Sequence, residues 1–154
     1  MTTYLKTMIA GVAMLMAIVV PAAASDGVVT VKSDYSVAET VARIKKDVRK
    51  KGIMFFGVID QARLGKNAGN DVRPSSLVMF GNPALGTTFI TSNPEAGLDW
   101  PVRVLVYQAT DGSVYAAYSD FDWIAKRHGI IDRAPQFKMA TEVIRSVTST
   151  IRKN

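Results

Sequence analysis

Beyond residue 26 the chain alternates between short β-branched runs and stretches with helical spacing. Gly27-Val28-Val29-Thr30-Val31-Lys32 is short and β-branched, and predicts a strand. Ser36-Val37-Ala38-Glu39 has the form of a capping box, with a Ser hydroxyl for the N3 amide and a Glu to reach back. Val37, Val41, Ile44 and Val48 then make one apolar stripe, so a helix is predicted to about Lys51, closed by Gly52. The run 53–60 is apolar on both faces at its start, which predicts a central strand. Residues 61–71 are polar and glycine-bearing, and read as a mobile connection. Ser75 to Phe80 predicts a third strand, ended by Gly81. Asn82-Pro83 supplies an N-cap and a first-turn proline for a short helix that ends before Asn93-Pro94.

Val102 to Gln108 alternates around a valine face, Asp111-Gly112 marks a hairpin, and Ser113 to Tyr118 is the returning strand. Asp120 caps a short helix through Arg127, followed by Gly129. A last helix runs from about Pro135 to Arg152, with Phe137, Ala140, Ile144, Val147 and Ile151 on one stripe. There is no internal repeat or low-complexity tract. The pattern predicts a single α+β domain over residues 25–154. Its sheet is roughly five-stranded and mainly antiparallel, with helices packed mostly on one face.

The first 24 residues follow a different pattern. Lys6 is the only charge before Asp26, Met8 to Val20 is almost wholly apolar, and Pro21 precedes Ala22-Ala23-Ala24. This is the order of a secretory signal peptide, with cleavage expected after Ala24 and a periplasmic or secreted mature chain. The apolar run is shorter than the roughly 20 residues that span a bilayer.

Composition narrows the chemistry. Hydrophobic residues at 48% supply enough material for a core and exclude a disordered chain. With no cysteine, disulfides, thiol nucleophiles and iron–sulfur clusters are excluded, so an exported domain must rely on apolar packing. The single histidine, His128, excludes any site built from two histidines of one chain. The net charge is +6, and its densest part is Arg43, Lys45, Lys46, Arg49, Lys50 and Lys51. That run reads as the solvated face of a helix. It also suits an anionic envelope surface, whereas nucleic acid is not an expected partner, because basic and aromatic residues do not interleave.

Three stretches carry a family resemblance. They are Arg73 to Pro83 running into Gly86-Thr87, then Gly97-Leu98-Asp99-Trp100-Pro101-Val102 to Val106, then Tyr118-Ser119-Asp120 with Ala125 and Arg127-His128-Gly129. Together they resemble the bacterial and archaeal domain of unknown function 302 family, over roughly residues 33–131. The resemblance implies a compact α+β domain, often behind a signal peptide, with a homodimer as an expected assembly, and no established reaction. Many members carry a His where this chain has Gln61, which implies that any ligand or acid/base role of that position is lost or altered here. Phe121 stands where a Pro commonly follows the Asp of the third motif.

Few residues are left to carry a site. His128 is the one side chain with an unperturbed pKa near neutrality. It reads either as an acid/base or as a helix-end residue bonded to a last-turn carbonyl. Asp120 and Asp122 are weak metal candidates with His128, but their i, i+2 spacing points them apart and Asp120 suits an N-cap. Gly81 to Thr88 imitates a phosphate loop, yet Thr87 stands where Lys is needed and Pro83 removes an amide. What remains is a helix start able to hold a small anion or carboxylate. No cofactor is expected. Tyr107, Tyr115, Tyr118, Trp100 and Trp123 read as core and interface fillers.

Three functions follow as expectations. The first is a non-enzymatic small-ligand or anion-binding, or stress-associated, exported domain, with Arg73, Gly81, Asn82, Tyr118 and His128 at the pocket. The second is an enzyme using His128 as acid/base, oriented by Asp120 or Asp122. The third is a dimerising structural protein that pairs through an exposed Phe137–Ile151 stripe.

Overall fold

The computed structural model describes residues 27–153, so the expected signal peptide and its cleavage site lie outside the described residues. The elements run β1 (Val28–Ser33), α1 (Val37–Lys50), β2 (Met54–Asp60), α2 (Gln61–Asn67), β3 (Ser75–Gly81), α3 (Pro83–Ser92), a 3-10 helix (Pro94–Asp99), β4 (Val102–Gln108), β5 (Val114–Ser119), α4 (Phe121–Arg127) and α5 (Ala134–Ser149). The five strands form one antiparallel sheet in the order β1-β5-β4-β3-β2. β1 and β2 therefore lie at opposite edges and run parallel, and α1 crosses the sheet between them. The predicted class, an α+β domain with a five-stranded sheet, is the one observed.

One face of the sheet is the core. Val78, Phe80, Val104, Val106, Val114 and Ala116 point to it, and Ile44 and Val48 of α1 meet them fully buried. The stripe of α5, which ends at Ser149 rather than near Arg152, closes the layer with the turn after it: Phe137, Ala140, Ile144, Val147 and, in that turn, Ile151 are all 5% exposed or less. This overturns the expectation that the stripe stands exposed for a partner helix. Each such side chain gains about 1.5–3 kcal/mol from burial, so a stripe this apolar is taken up inside its own chain first. Phe137 stacks on Phe89 of α3 at 4.2 Å between ring centroids, which fixes α3 over the same layer.

Two further expectations are corrected. β2 is an edge strand, not a central one. Only Phe55 is well covered, under Lys45 and Arg49 of α1; Phe56, at an irregularity in the β2–β3 register, meets Trp100 edge-on at 5.7 Å but stays 43% exposed, and Met54, Val58 and Ile59 are exposed as well. The segment after it is not a mobile connection, because residues 61–67 are α2. Asp60 caps this helix, accepting from the Arg63 amide at 2.9 Å. Gly65 lets the chain fold back, since a Cβ there would lie 2.4 Å from Val72 Cγ2. Gln61 accepts from the Ser75 hydroxyl at 2.7 Å and ties α2 to β3.

The α1 cap is half a capping box. Ser36 Oγ accepts from the Glu39 amide at 3.2 Å, while the Glu39 carboxylate pairs with Arg43 rather than reaching back. Gly52, at φ +67°, ends the helix as expected.

Candidate functional site

A cavity of about 330 Å³ opens between the β3–β4 end of the sheet and the helices α3 and α5. Its wall is apolar: Phe80, Leu85, Phe89, Trp100, Val143 and Ile144 among others. The exposed members of the wall are Lys51, Asn82 and Met139, so the opening lies between the end of α1, the start of α3 and the outer side of α5.

The two glycines of the loop that imitates a phosphate cradle have a different use here. A Cβ at Gly86 would lie 1.8 Å from Trp100 Nε1, and one at Gly81 2.9 Å from the same atom. They seat the Trp100 indole against the α3 start. The amides of that helix start are also occupied. Asn82 Oδ1 accepts from the Ala84 amide at 2.9 Å, the Leu85 and Gly86 amides donate to Asn82 O, and Pro83 has none. The expected free donors for an anion are therefore already bonded to Asn82 itself.

Behind the cavity lies a cluster of charged groups. Asp99, at the end of the 3-10 helix, is part of the wall and its side chain is 4% exposed. Its Oδ2 is 2.7 Å from His128 Nε2 and 3.3 Å from Arg127 Nη1, and its Oδ1 is 3.2 Å from Arg103 Nη2. His128 is the C-cap residue of α4, with its amide bonded to Ile124 O and its carbonyl accepting from Asn93 Nδ2 at 2.9 Å. Its ring thus engages a carboxylate 29 residues upstream and not a last-turn carbonyl. The arginines, close to half exposed, are screened by water and add little, so the buried Asp99–His128 contact dominates.

The five residues expected at one pocket are not brought together. Gly81 and Asn82 line the cavity. Arg73 is exposed just before β3, at the opposite end of that strand. Tyr118 is buried on the core face of β5, hydrogen-bonded with Thr148, and burial raises its phenol pKa. His128 is buried and outside the cavity wall. Asp120 and Asp122 do not orient it, because Asp99 does. Asp120 accepts from the Trp123 amide at 2.9 Å as the α4 cap, and Asp122 is exposed in the first turn. Among the described residues no three His, Cys, Asp or Glu side chains converge as a metal site. Asp120→Ala is accordingly expected to lower stability by about 1 kcal/mol and Asp120→Asn by much less, as urea unfolding would show. Equal losses would point to a role other than capping.

Sequence reasoning missed Trp100 and Asp99 as site residues. Both lie within a motif of the resemblance, but the sequence alone does not place the 3-10 helix that turns them inward.

The fold and site define a small α+β domain with one sheet, one covered face and an apolar cavity at the sheet's end. The chain belongs to the Domain of unknown function DUF302 family, whose model matches residues 29–153. The crystal structure of an uncharacterized conserved protein DUF302 from Bacillus stearothermophilus shares the fold. It has a TM-score of 0.74 at 15% identity and covers 83% of this chain and 100% of that one. Among curated proteins the chain is similar to fluoride-specific ion channel FluC 1 of Brucella suis biovar 1 (strain 1330), 36% identical over 104 residues. That match covers 68% of this chain and 41% of the channel. FluC 2 of Brucella melitensis biotype 1 is also 36% identical over 104 residues, covering 68% and 38%. The chain thus spans about two fifths of the length of these relatives.

Proposed function

We infer that the chain is exported behind residues 1–24 and works as a binding domain for one small, largely apolar molecule, held in the cavity at the α3 start. The observation that carries this reading is the cavity itself: about 330 Å³, apolar on nearly every side, and open only beside Lys51, Asn82 and Met139. A volume of that size is typical of small-ligand pockets. The occupied α3 amides favour an apolar body over a bare anion, and a polar end of the ligand belongs at the rim near Lys51 and Asn82.

Enzymatic use of His128 has one observation in its favour, the 2.7 Å contact with a carboxylate. An acid/base must also face its substrate. The His128 side chain is 3% exposed and outside the cavity wall, so the same contact reads better as a structural tie.

The FluC name belongs to chains of which about three fifths lie outside the match. No helix among the described residues here is long and apolar enough to cross a membrane. Fluoride conduction is therefore not part of this proposal. A domain that occurs within a longer chain bearing a channel's name does suit work close to a bilayer.

Two tryptophans make the test direct. Trp123→Phe leaves Trp100 as the sole indole, on the cavity wall. Titration with octanoate or octanol is expected to shift its emission saturably, and Ala140→Phe, which fills the cavity from α5, is expected to abolish the shift. Native mass spectrometry of protein purified from its own cells should show a retained small molecule. An unliganded protein together with a flat titration would sink the reading.

A further inference from the structure

The charge of this molecule is unevenly placed. Residues 43–51 hold six basic side chains against one acid, Asp47, and so carry five of the chain's six net positive charges. Asp47 is engaged by Lys51, and Glu39, one turn before the run, by Arg43. Lys46, Arg49 and Lys50 are exposed and have no acidic partner among the described residues. Positive charge at a helix C-terminus offsets the macrodipole, but one or two such residues suffice for that.

This helix end is also the edge of the cavity. Lys51 and Ile53 belong to the wall. Met139, 53% exposed, belongs to the wall from α5. The basic helix end and an apolar opening therefore adjoin. A merely solvated helix face accounts for the bases and not for their place at that opening. A soluble polyanion accounts for no more, whereas an anionic bilayer offers phosphates for the bases and an apolar layer against the opening.

We propose that the C-terminal end of α1, with Met139, docks on an anionic phospholipid bilayer and sets the cavity mouth against it. An apolar ligand then passes between bilayer and cavity without crossing bulk water. The ligand passage rests on the cavity reading above; the docking does not.

Co-sedimentation with phosphatidylcholine vesicles, with and without phosphatidylglycerol, tests the docking. The full chain is expected to sediment with the phosphatidylglycerol vesicles only, and to be released as salt is raised. Lys46→Glu, Arg49→Glu and Lys50→Glu together are expected to lower partitioning by roughly a hundredfold or more, at about fivefold per basic residue. None of the three lines the cavity, so the octanoate response of Trp100 should persist in the triple variant. Equal binding to both vesicle types, an unaffected triple variant, or capture by soluble heparin without vesicle binding would each overturn the docking. Vesicle binding with a flat octanoate titration would overturn the cavity reading and leave the docking in place.

Discussion

Gly86→Ala is expected to destabilise the domain by about 2 kcal/mol, although alanine is the better helix former. Two effects oppose each other at this position. Inside α3, replacing Gly by Ala gains up to about 1 kcal/mol in helix propensity. The new Cβ, however, would lie 1.8 Å from Trp100 Nε1, 2.1 Å from Cδ1 and 2.5 Å from Cε2. The indole is held by Gly81 on one side and by the Phe56 ring at 5.7 Å, so its open direction is into the cavity and moving there gives up both contacts. Overpacking of a rigid ring costs about 1–3 kcal/mol or more, so the clash outweighs the propensity. Urea unfolding would measure the loss, and the emission of Trp100 in a Trp123→Phe background would report the displaced ring. On a Trp100→Ala background, itself destabilised by the lost ring, the sign should reverse and Gly86→Ala should stabilise. A double-mutant cycle without coupling would show that the glycine is not there to seat the indole.

The same pair shows how far the chain could be read unaided. Elements specified by local chemistry were legible: Ser36, Asn82 and Asp120 each cap the helix that follows, and Asp111-Gly112 joins β4 to β5. The stripe of α5 was legible as apolar but not as covered, because spacing says which face is greasy and not what lies against it. β2 was misplaced for a related reason. An apolar run on both faces suggests cover on both, but here only Phe55 is covered, by Lys45 and Arg49, while Phe56 touches Trp100 and stays 43% exposed. α2 is not legible because it is seven residues long, contains Gly65 and buries none of its residues, so it shows no apolar stripe.

For the site, Gly81 and Asn82 were legible from their spacing, but with the wrong chemistry. Two glycines with four residues between them can cradle a phosphate or receive a ring, and only the position of Trp100 decides. The partner of His128 was not legible at all. Asp120 and Asp122 are near in sequence, Asp99 is near in space, and the 3-10 helix that ends in Asp99 gives little periodic signal over six residues.

Asp99 supplies the other large expected effect, and it comes with an asymmetry. Asp99→Ala should cost about 3 kcal/mol or more, because it leaves the buried His128 ring without its partner and removes the anion that draws Arg103 and Arg127 together. His128→Ala should cost less. The carboxylate it leaves behind keeps two guanidinium neighbours, at 3.2 and 3.3 Å, which, though screened by water, spare it from standing unpaired. Asp99→Asn keeps the shape and one hydrogen bond to the ring, and should fall below both alanine variants in cost, at about 1–2 kcal/mol. The expected order of urea midpoints is therefore wild type, Asp99→Asn, His128→Ala, then Asp99→Ala. A structural tie between the 3-10 helix and the end of α4 produces this order whether or not a ligand is present. Near-equal midpoints would show that the pair does not tie the 3-10 helix to the end of α4.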